Sequence, residues 1–360
     1  MNKAIEFIKR SINNKPFIKE ITVYGWQNEY KHKLVSSISK YLFEDFSPIE
    51  NLAPLTNENR EGIKKTKYYV TVHDTGDADP KHNAKFWSDT VKCEEWEQGK
   101  YACSYQYVVG NDGTYHNIPD DEIAWHAGDT TRYDYHLYDA GVEGINITPK
   151  ITISSDGYYE IDGIKSIIHA PRVYKEKNGE VIVDRIATTQ DINDQSVLCK
   201  LIDGKYFIGE TYFNTTYMLI ANRGGNNNSI GIESCVNNDS DIYYTWQKTA
   251  KLVAHLLYDN NLTFSDVKQH HYYSGKNCPQ TMRMNDMWNH FMELVQYEYE
   301  ALELIKEGYS FKIITNSTII NECGRVKNID ERYNECINIQ IKKGDDICNL
   351  EFNIEVNPEV

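Results

Sequence analysis

The segment at 270–279, with the sequence HHYYSGKNCP, concentrates residue types that bind a metal ion and act on a carbonyl group. Zinc prefers nitrogen and sulfur ligands, and a catalytic zinc site uses three protein ligands and leaves its fourth position to water. His270, at the end of a short predicted strand, and Cys278, in the loop after it, can supply two of these ligands. Lys276 cannot be a ligand while it is protonated. We therefore predict that Lys276 holds the oxyanion that forms when water attacks a carbonyl carbon.

His73 and Glu233 complete the predicted centre. His73 directly follows the β-forming run YYVTV at 68–72, so a strand end delivers its side chain into a cleft, where it can supply the third ligand. Glu233 lies in the otherwise apolar run SIGIESCV at 229–236, where a lone carboxylate is costly to bury without a task or a partner. Beside a zinc-bound water, it can take the proton and later hand it to the leaving amine. These residue types predict a hydrolase that uses one zinc ion.

Two of these assignments have alternatives. His271 competes with His270 as a ligand, but the spacing to Cys278 favours His270, and the next residue along a strand points to the opposite face of the sheet. Glu233 can also be the buried ion-pair partner of Lys276. That structural role is compatible with the catalytic one.

The elements that must position these residues alternate between strand and helix, which is typical of an α/β core. An Asp-Gly turn between two β-rich runs predicts a hairpin, and apolar residues at helical spacing predict helices, the last of them capped by Asn285 and stopped by Gly308. We therefore expect an α/β fold with a central mixed β-sheet flanked by helices. The predicted strands lie at 68–72, 104–109, 114–118, 229–236 and 267–270, and the predicted helices at 82–97, 245–260 and 285–307.

The pattern of predicted helices, strands and turns also divides the chain into parts. Residues 1–60 read as an N-terminal α/β extension with a helix, a short strand at 21–24 and a second helix at 31–43. Residues 61–307 read as the catalytic domain, interrupted at about 133–215 by a β-rich insertion with repeated Asp-Gly and Asn-Gly turns. Residues 308–360 read as a small β-rich C-terminal module.

Composition and charge exclude several classes of protein. The formal net charge of -15 argues against a nucleic-acid partner, because affinity for phosphates comes largely from Lys and Arg. No apolar stretch approaches the roughly 20 residues that cross a bilayer, so we expect no stable membrane insertion, and the N-terminal residues do not form a secretory signal. None of the 8 cysteines forms a C-x-x-C pair, which argues against a structural zinc module and thioredoxin-like redox chemistry. The sequence indicates no oligomeric state.

Stretches at 68–128 and 229–292 together resemble the zinc-dependent N-acetylmuramoyl-L-alanine amidases of the phage lysozyme and autolysin type, whose fold is shared with peptidoglycan recognition proteins. The shared motifs are YYVTVHDTG, WHAG, SIGIE and HHYYSGKNCP, in the family's order. The resemblance implies that the strand-end histidine, the later histidine and the cysteine are ligands and that the glutamate and the lysine are catalytic. These residues are His73, His270, Cys278, Glu233 and Lys276.

The resemblance also implies two further roles. A WHAG turn lines the substrate groove in the family, which here is Trp125, His126, Ala127 and Gly128. In the lysozyme-like branch a tyrosine on the hairpin's first strand serves the site, and Tyr105 falls near that position as a third catalytic candidate. The alternative for Trp125 and His126 is a packed aromatic and a surface histidine, and for Tyr105 a core or groove aromatic.

The implied function is hydrolysis of the amide between N-acetylmuramic acid and L-alanine in peptidoglycan. The chain departs from the family in its link from WHAG to SIGIE, which is 100 residues long at 129–228 instead of short. A phage endolysin or autolysin is the leading interpretation, acting on the cell wall after release through a holin-type pore. A cytosolic enzyme that recycles muropeptides and a module that binds muropeptides without cutting them are the alternatives; binding modules of this fold typically lose the cysteine ligand.

Overall fold

A computed structural model of the chain describes most of its residues. The described ranges are 1–25, 29–55, 59–92, 103–128, 137–170, 172–177, 180–190, 199–209, 225–274, 276–327 and 332–357. The ends of the predicted insertion, at about 133 and 215, and the end of the predicted helix at 82–97 lie outside them. Within these ranges, no helix has the length and apolar character needed to cross a membrane.

A six-stranded mixed sheet forms the centre of the fold, which confirms the α/β class with a central mixed sheet. Its order is β16-β4-β15-β5-β6-β3, and the first four strands run parallel while β6 pairs antiparallel with β5. The Asp-Gly turn joins β5 to β6 as predicted. In chain order, these strands are β3 (Ile49–Glu50), β4 (Tyr69–Asp74), β5 (Tyr107–Gly110), β6 (Gly113–His116), β15 (Ser229–Ser234) and β16 (Val267–Gln269).

The two central strands alternate between an apolar and a polar face. Val70 and Val72 of β4, like Ile230 and Ile232 of β15, belong to the main apolar cluster with the two long helices at Ile242–Asp259 and Trp288–Lys306. The residues between them carry polar groups or no side chain, and these point to the opposite face because side chains alternate along a strand. The sheet is therefore anchored on one face and presents its chemistry on the other.

The two long helices are α4 (Ile242–Asp259) and α7 (Trp288–Lys306), and the others are short. The short ones are α1 (Asn2–Ser11), α2 (Ala84–Lys92), α3 (Gly225–Asn228), α5 (His271–Ser274) and α6 (Gln280–Met284). Helix α7 begins at Trp288 with Met287 as its N-cap, so the prediction that Asn285 caps it is wrong. The side-chain amide of Asn285 donates instead to the carbonyl oxygens of Thr22 and Thr281, which ties strand 18–24 to α6. Gly308 ends the helix with a positive φ of 91°, as predicted.

The stretch between WHAG and SIGIE contains β-strands with an apolar core of their own. Residues such as Ala140, Tyr159, Ile161 and Ile208 form this cluster, and all its members lie between 140 and 208. The strands are β7 (Leu137–Glu143), β8 (Ile151–Ile153), β9 (Tyr158–Ile161), β10 (Ile164–His169), β11 (Arg172–Lys177), β12 (Glu180–Ile186), β13 (Cys199–Ile202) and β14 (Lys205–Gly209).

The N-terminal and C-terminal parts of the chain pack against each other. Phe7 and Ile8 of α1 share one apolar cluster with Ile337 and Ile339 of the C-terminal strands. The C-terminal sheet has the order β17-β18-β19 and is antiparallel. The strands of these parts are β1 (Ile18–Tyr24), β2 (Glu29–Val35), β17 (Tyr309–Ile314), β18 (Tyr333–Lys343) and β19 (Asp346–Val356).

The prediction of a helix over 31–43 is wrong. Leu34, Ile38 and Leu42 recur every four residues and are all buried, which is the spacing of a helix face. However, Leu34 lies in β2, which pairs antiparallel with β1 along its whole length, and the other two belong to the irregular chain that follows. Cross-strand pairing thus outweighs a helical spacing that only three apolar residues support.

Candidate metal centre

Three neighbouring strands place predicted site residues in one row. In the parallel pairing of β4 with β15, His73 stands directly opposite Glu233, and in the pairing of β4 with β16, Val72 stands opposite Gln269. His270 follows Gln269, so it continues the row beside His73. Because the strands are parallel, the row lies where all three carboxyl ends meet, which is the edge of an α/β sheet where ligands bind.

The loop after β16 brings Cys278 back to this row. The backbone N–H of His271 donates to the carbonyl oxygen of Cys278 at 3.1 Å, which closes the loop on itself. Asp74, the last residue of β4, accepts a hydrogen bond from the backbone N–H of Thr281 at 2.7 Å. These two contacts hold the thiol against the strand end, and its Sγ lies 3.7 Å from Nδ1 of His73.

Two of the three distances between the donor atoms of His73, His270 and Cys278 are close to those of a tetrahedral zinc site. The Nδ1 atoms of the two histidines are 3.1 Å apart, and the ligand atoms of all three residues lie within 4.8 Å of one another. Zinc binds nitrogen at about 2.0–2.1 Å and thiolate sulfur at about 2.3 Å, so tetrahedral ligands stand about 3.3 Å apart for two nitrogens and about 3.5 Å for nitrogen and sulfur. The residues present therefore fit one zinc ion. The competing histidine, His271, is not part of this group among the described residues.

Burial sets the protonation of the three groups. His73, His270 and Cys278 are 2%, 7% and 4% exposed. Desolvation lowers the pKa of both imidazoles well below the usual value and raises the pKa of the Cys278 thiol well above it. The histidines are thus neutral, and their Nδ1 atoms lie 3.1 Å apart. A cation bound by these nitrogens and the sulfur would stabilise the thiolate, which is the form that binds metal.

Glu233 lies at the rim of this group. Its Oε1 is 3.7 Å from Nδ1 of His73, and its Oε2 is buried without a hydrogen-bond partner among the residues that the structure describes. Desolvation raises the pKa of this carboxyl well above its usual value, while the charge of Lys276 opposes the shift. A carboxylate with an unsatisfied oxygen beside a metal site is suited to accept a proton from a water molecule.

Lys276 is exposed two positions before the cysteine, and its backbone carbonyl accepts a hydrogen bond from the N–H of Cys278 at 2.7 Å. Its positive charge also lowers the pKa of Cys278 and of His270, so the ammonium group is close enough to act on the centre. This position suits a cation that meets negative charge as it develops on a substrate.

The WHAG residues lie partly beneath the centre. His126 is 8% exposed, and its Nδ1 is 3.0 Å from Nε2 of His73. Desolvation and the charge of Lys67 lower the pKa of His126 to about 3. Ala127 is fully buried, while Trp125 and Gly128 are half-buried. Of the four, only the half-buried Trp125 and Gly128 therefore expose appreciable surface to a substrate.

Tyr105 is tied to a neighbouring element. Its hydroxyl donates to the carbonyl oxygen of Trp87 in α2 at 2.9 Å, and the residue is 4% exposed. Desolvation raises the pKa of the phenol well above its usual value. These contacts favour the structural alternative for Tyr105.

Two residues of the site have no counterpart in the sequence prediction. Asn226 accepts hydrogen bonds at its Oδ1 from the backbone N–H groups of His126 and Ala127, at 2.8 and 2.6 Å. Gly231 lies below the His126 ring, where a Cβ would approach the ring atoms to 2.6–2.8 Å. A glycine inside a buried strand often marks such a close approach, so Gly231 could have been found from the sequence; nothing local singles out Asn226.

The comparisons with known families place most of this centre in one family. The model of the N-acetylmuramoyl-L-alanine amidase family matches residues 64–281, which include the three metal-site residues and Glu233. The chain is similar to the N-acetylmuramoyl-L-alanine amidase CwlH of Bacillus subtilis strain 168, with 23% identity over 247 residues, 68% of this chain and 58% of that protein. It is also similar to the N-acetylmuramoyl-L-alanine amidase XlyA of the same strain, with 37% identity over 87 residues, 24% of this chain and 29% of that protein. The chain therefore spans less than two thirds of the length of these relatives.

The solved structures that align with this chain do so at lower sequence identity than these relatives. The catalytic domain of XlyA aligns with 69% of this chain and 99% of its own, at 20% identity and a TM-score of 0.40. The catalytic domain of PlyG aligns with 70% of this chain and 95% of its own, at 16% identity and a TM-score of 0.40.

Proposed function

This chain belongs to the N-acetylmuramoyl-L-alanine amidase family, as its motifs predicted, and we propose that it hydrolyses the amide bond between N-acetylmuramic acid and L-alanine in peptidoglycan. We further propose one zinc ion, bound by His73, His270 and Cys278, as its cofactor. The observation that carries the proposal is the buried group of these three donors, within 4.8 Å of one another, beside a carboxylate one of whose oxygens lacks a hydrogen-bond partner among the described residues.

In the proposed mechanism, Glu233 and Lys276 have separate roles in amide hydrolysis. When bound, zinc supplies Lewis acidity toward the substrate carbonyl and the attacking water. Glu233 takes a proton from the water as its oxygen bonds to the carbonyl carbon, and Lys276 stabilises the negative charge on the carbonyl oxygen. The C–N bond then breaks, and Glu233 returns the proton to the departing amine of L-alanine. The lactyl group is left with a carboxylate.

A module that binds muropeptides without cutting them needs none of these groups. This chain keeps three zinc-type donors within 4.8 Å of one another, together with Glu233 and Lys276. That combination favours the hydrolase. We propose that the hydrolase acts on the cell wall as an endolysin or autolysin, and an enzyme that recycles soluble muropeptides is the alternative.

Digestion of purified peptidoglycan, followed by mass spectrometry of the ends released, tests the proposed bond. We expect free amino groups on L-alanine and lactyl carboxylates on intact glycan chains. New reducing sugars or cuts inside the stem peptide would contradict the proposal. His73→Ala should release neither free amino groups on L-alanine nor lactyl carboxylates. Comparing intact walls with soluble muropeptides distinguishes a wall hydrolase from a recycling enzyme.

We propose that the β-rich stretch at about 133–215 is an excursion from a complete catalytic core. The chain leaves at Ala127 and returns at Asn226, and the N–H of Asn226 donates to the carbonyl oxygen of Ala127 at 3.1 Å. The strands between these points have their own apolar cluster, separate from those that support the metal centre. Excursions of this kind cost little stability, because each doubling of a loop adds only about 0.6 kcal/mol of closure entropy.

Replacement of residues 133–213 with a short Gly/Ser linker should therefore leave a folded protein that binds zinc and cleaves a small muropeptide. Activity on intact walls should fall, or its species range should change, because the excursion begins beside WHAG. A second linker of twice the length should give nearly the same melting temperature. Loss of folding or of zinc with both linkers would show that the excursion belongs to the catalytic core.

A further inference from the structure

The ring of His126 lies behind the metal-facing edge of His73. Nδ1 of His73 points at the other two donors, 3.1 Å from Nδ1 of His270 and 3.7 Å from Sγ of Cys278. Its Nε2 points away from them and lies 3.0 Å from Nδ1 of His126, and the two rings are nearly perpendicular at 84°. Each nitrogen of the His73 ring therefore has its own neighbours: Nδ1 faces the other two donors, and Nε2 faces His126.

We propose that His126 is a positioning residue that fixes the tautomer and the ring orientation of His73, and that Gly231 exists to leave room for the His126 ring. This inference rests on the zinc centre proposed above. An imidazole that binds metal through Nδ1 must carry its proton on Nε2, so the Nε2–H of His73 donates to Nδ1 of His126. Such second partners hold metal-binding histidines in place.

The packing around His126 leaves its ring one position. Its backbone N–H, with that of Ala127, is held by Oδ1 of Asn226, so the main chain on which the ring is mounted is fixed. Below the ring, a Cβ on Gly231 would come within 2.6–2.8 Å of three ring atoms, which is closer than real contacts allow. Gly231 lies two residues before Glu233 on the same strand, so both face the same side of the sheet.

This arrangement separates a positioning role from a direct role in substrate binding. A residue that contacts substrate needs an accessible face, and His126 is 8% exposed. The ring nitrogen nearest the centre is already taken by His73. His126 therefore acts through His73 and not on the substrate.

Zinc affinity is the first test, measured by competition with a chromophoric chelator on the full chain. His126→Leu keeps the volume but removes the acceptor, so zinc should bind roughly 10- to 100-fold more weakly. His126→Asn places an amide oxygen near the position of Nδ1 and should restore most of the affinity. His255→Leu is the control, since His255 is a half-buried histidine that stacks on Phe46. It should bind zinc like the unaltered protein.

The cobalt(II)-loaded protein provides a second readout, because its visible absorption reports coordination geometry. The spectrum should change in His126→Leu and return in His126→Asn. A loss of affinity without a change of spectrum, or without recovery in the Asn variant, would overturn the positioning role. It would leave a role in packing only.

A double-mutant cycle tests the part assigned to Gly231. Gly231→Ala should weaken zinc binding when His126 is present, because the new methyl group displaces the ring. In a His126→Ala background, the space is open, so the same substitution should have almost no effect. Equal losses in both backgrounds would overturn the link between the two residues. If the unaltered protein binds no zinc, the metal centre itself fails; if it binds zinc and His126→Leu binds equally well, only the present inference fails.

Discussion

Glu233→Gln is expected to lower the rate of amide hydrolysis by roughly 100- to 10,000-fold, the usual effect of removing a positioned general base. Glutamine keeps the shape of the side chain but cannot accept the proton of the attacking water. Zinc content should be unchanged, because Glu233 is outside the group of three donors. The melting temperature should not fall, since the substitution replaces a buried carboxylate, one of whose oxygens lacks a partner among the described residues, by a neutral amide.

Glu298→Gln is the matched control, because Glu298 is another buried carboxylate of the same chain. It pairs with Lys251 at 2.8 Å and accepts a hydrogen bond from the N–H of Leu42 at 2.7 Å. Removing its charge leaves the lysine buried without its partner, which destabilises a fold by about 3–5 kcal/mol. We thus expect opposite outcomes: the Glu298 variant melts lower but turns over normally, and the Glu233 variant melts normally but turns over slowly. Near-normal turnover by Glu233→Gln would assign the proton transfer to another group.

The sequence predicted which residues come together at the sheet edge, because strand order did not have to be known. His73, Glu233 and His270 each come at or near the end of a buried run, and the carboxyl ends of parallel strands meet at one edge whatever their order. Cys278 then follows from the short loop that returns to the same edge. Residue type and strand-end position were sufficient to predict that these four residues lie close together.

The contact between His73 and His126 could not be predicted in the same way. The two residues are 53 positions apart, and their contact depends on the backbone of WHAG being held by Asn226, which lies 100 positions beyond His126. No local pattern carries that information. The motif therefore suggested a groove residue, whereas packing places Nδ1 of His126 at 3.0 Å from Nε2 of His73.

Helix and strand assignments failed where local spacing and long-range pairing disagreed. The helix predicted over 31–43 is wrong although Leu34 and Ile38 have helical spacing, because pairing of β2 with β1 decides the structure of its first residues. Asn285 is a good N-cap by type, but its side chain bonds to strand β1 and to α6. In both places a partner distant in sequence outweighs the local preference.

Cys278→Ser is expected to lose most of the bound zinc and, with it, nearly all activity. A hydroxyl is a harder and far less acidic ligand than a thiol, so it replaces a thiolate poorly at a site that otherwise offers two neutral imidazoles. The thiolate also supplies the only negative charge among the three donors, and Glu233 lies outside them, with its Oε1 3.7 Å from Nδ1 of His73. Elemental analysis of the purified protein measures the outcome, with about one zinc expected per unaltered chain.

Cys235→Ser tests whether this loss is specific to the metal site. Cys235 is a second fully buried cysteine, but it packs in the apolar cluster that contains Tyr105 and Val108. A hydroxyl buried there without a partner lowers stability by about 1–3 kcal/mol, so its melting temperature should fall while zinc remains bound. The two variants thus make the same chemical change in two buried places, and only the change at 278 removes a ligand. Full zinc in both Cys278→Ser and His73→Ala would show that these residues do not form the metal site.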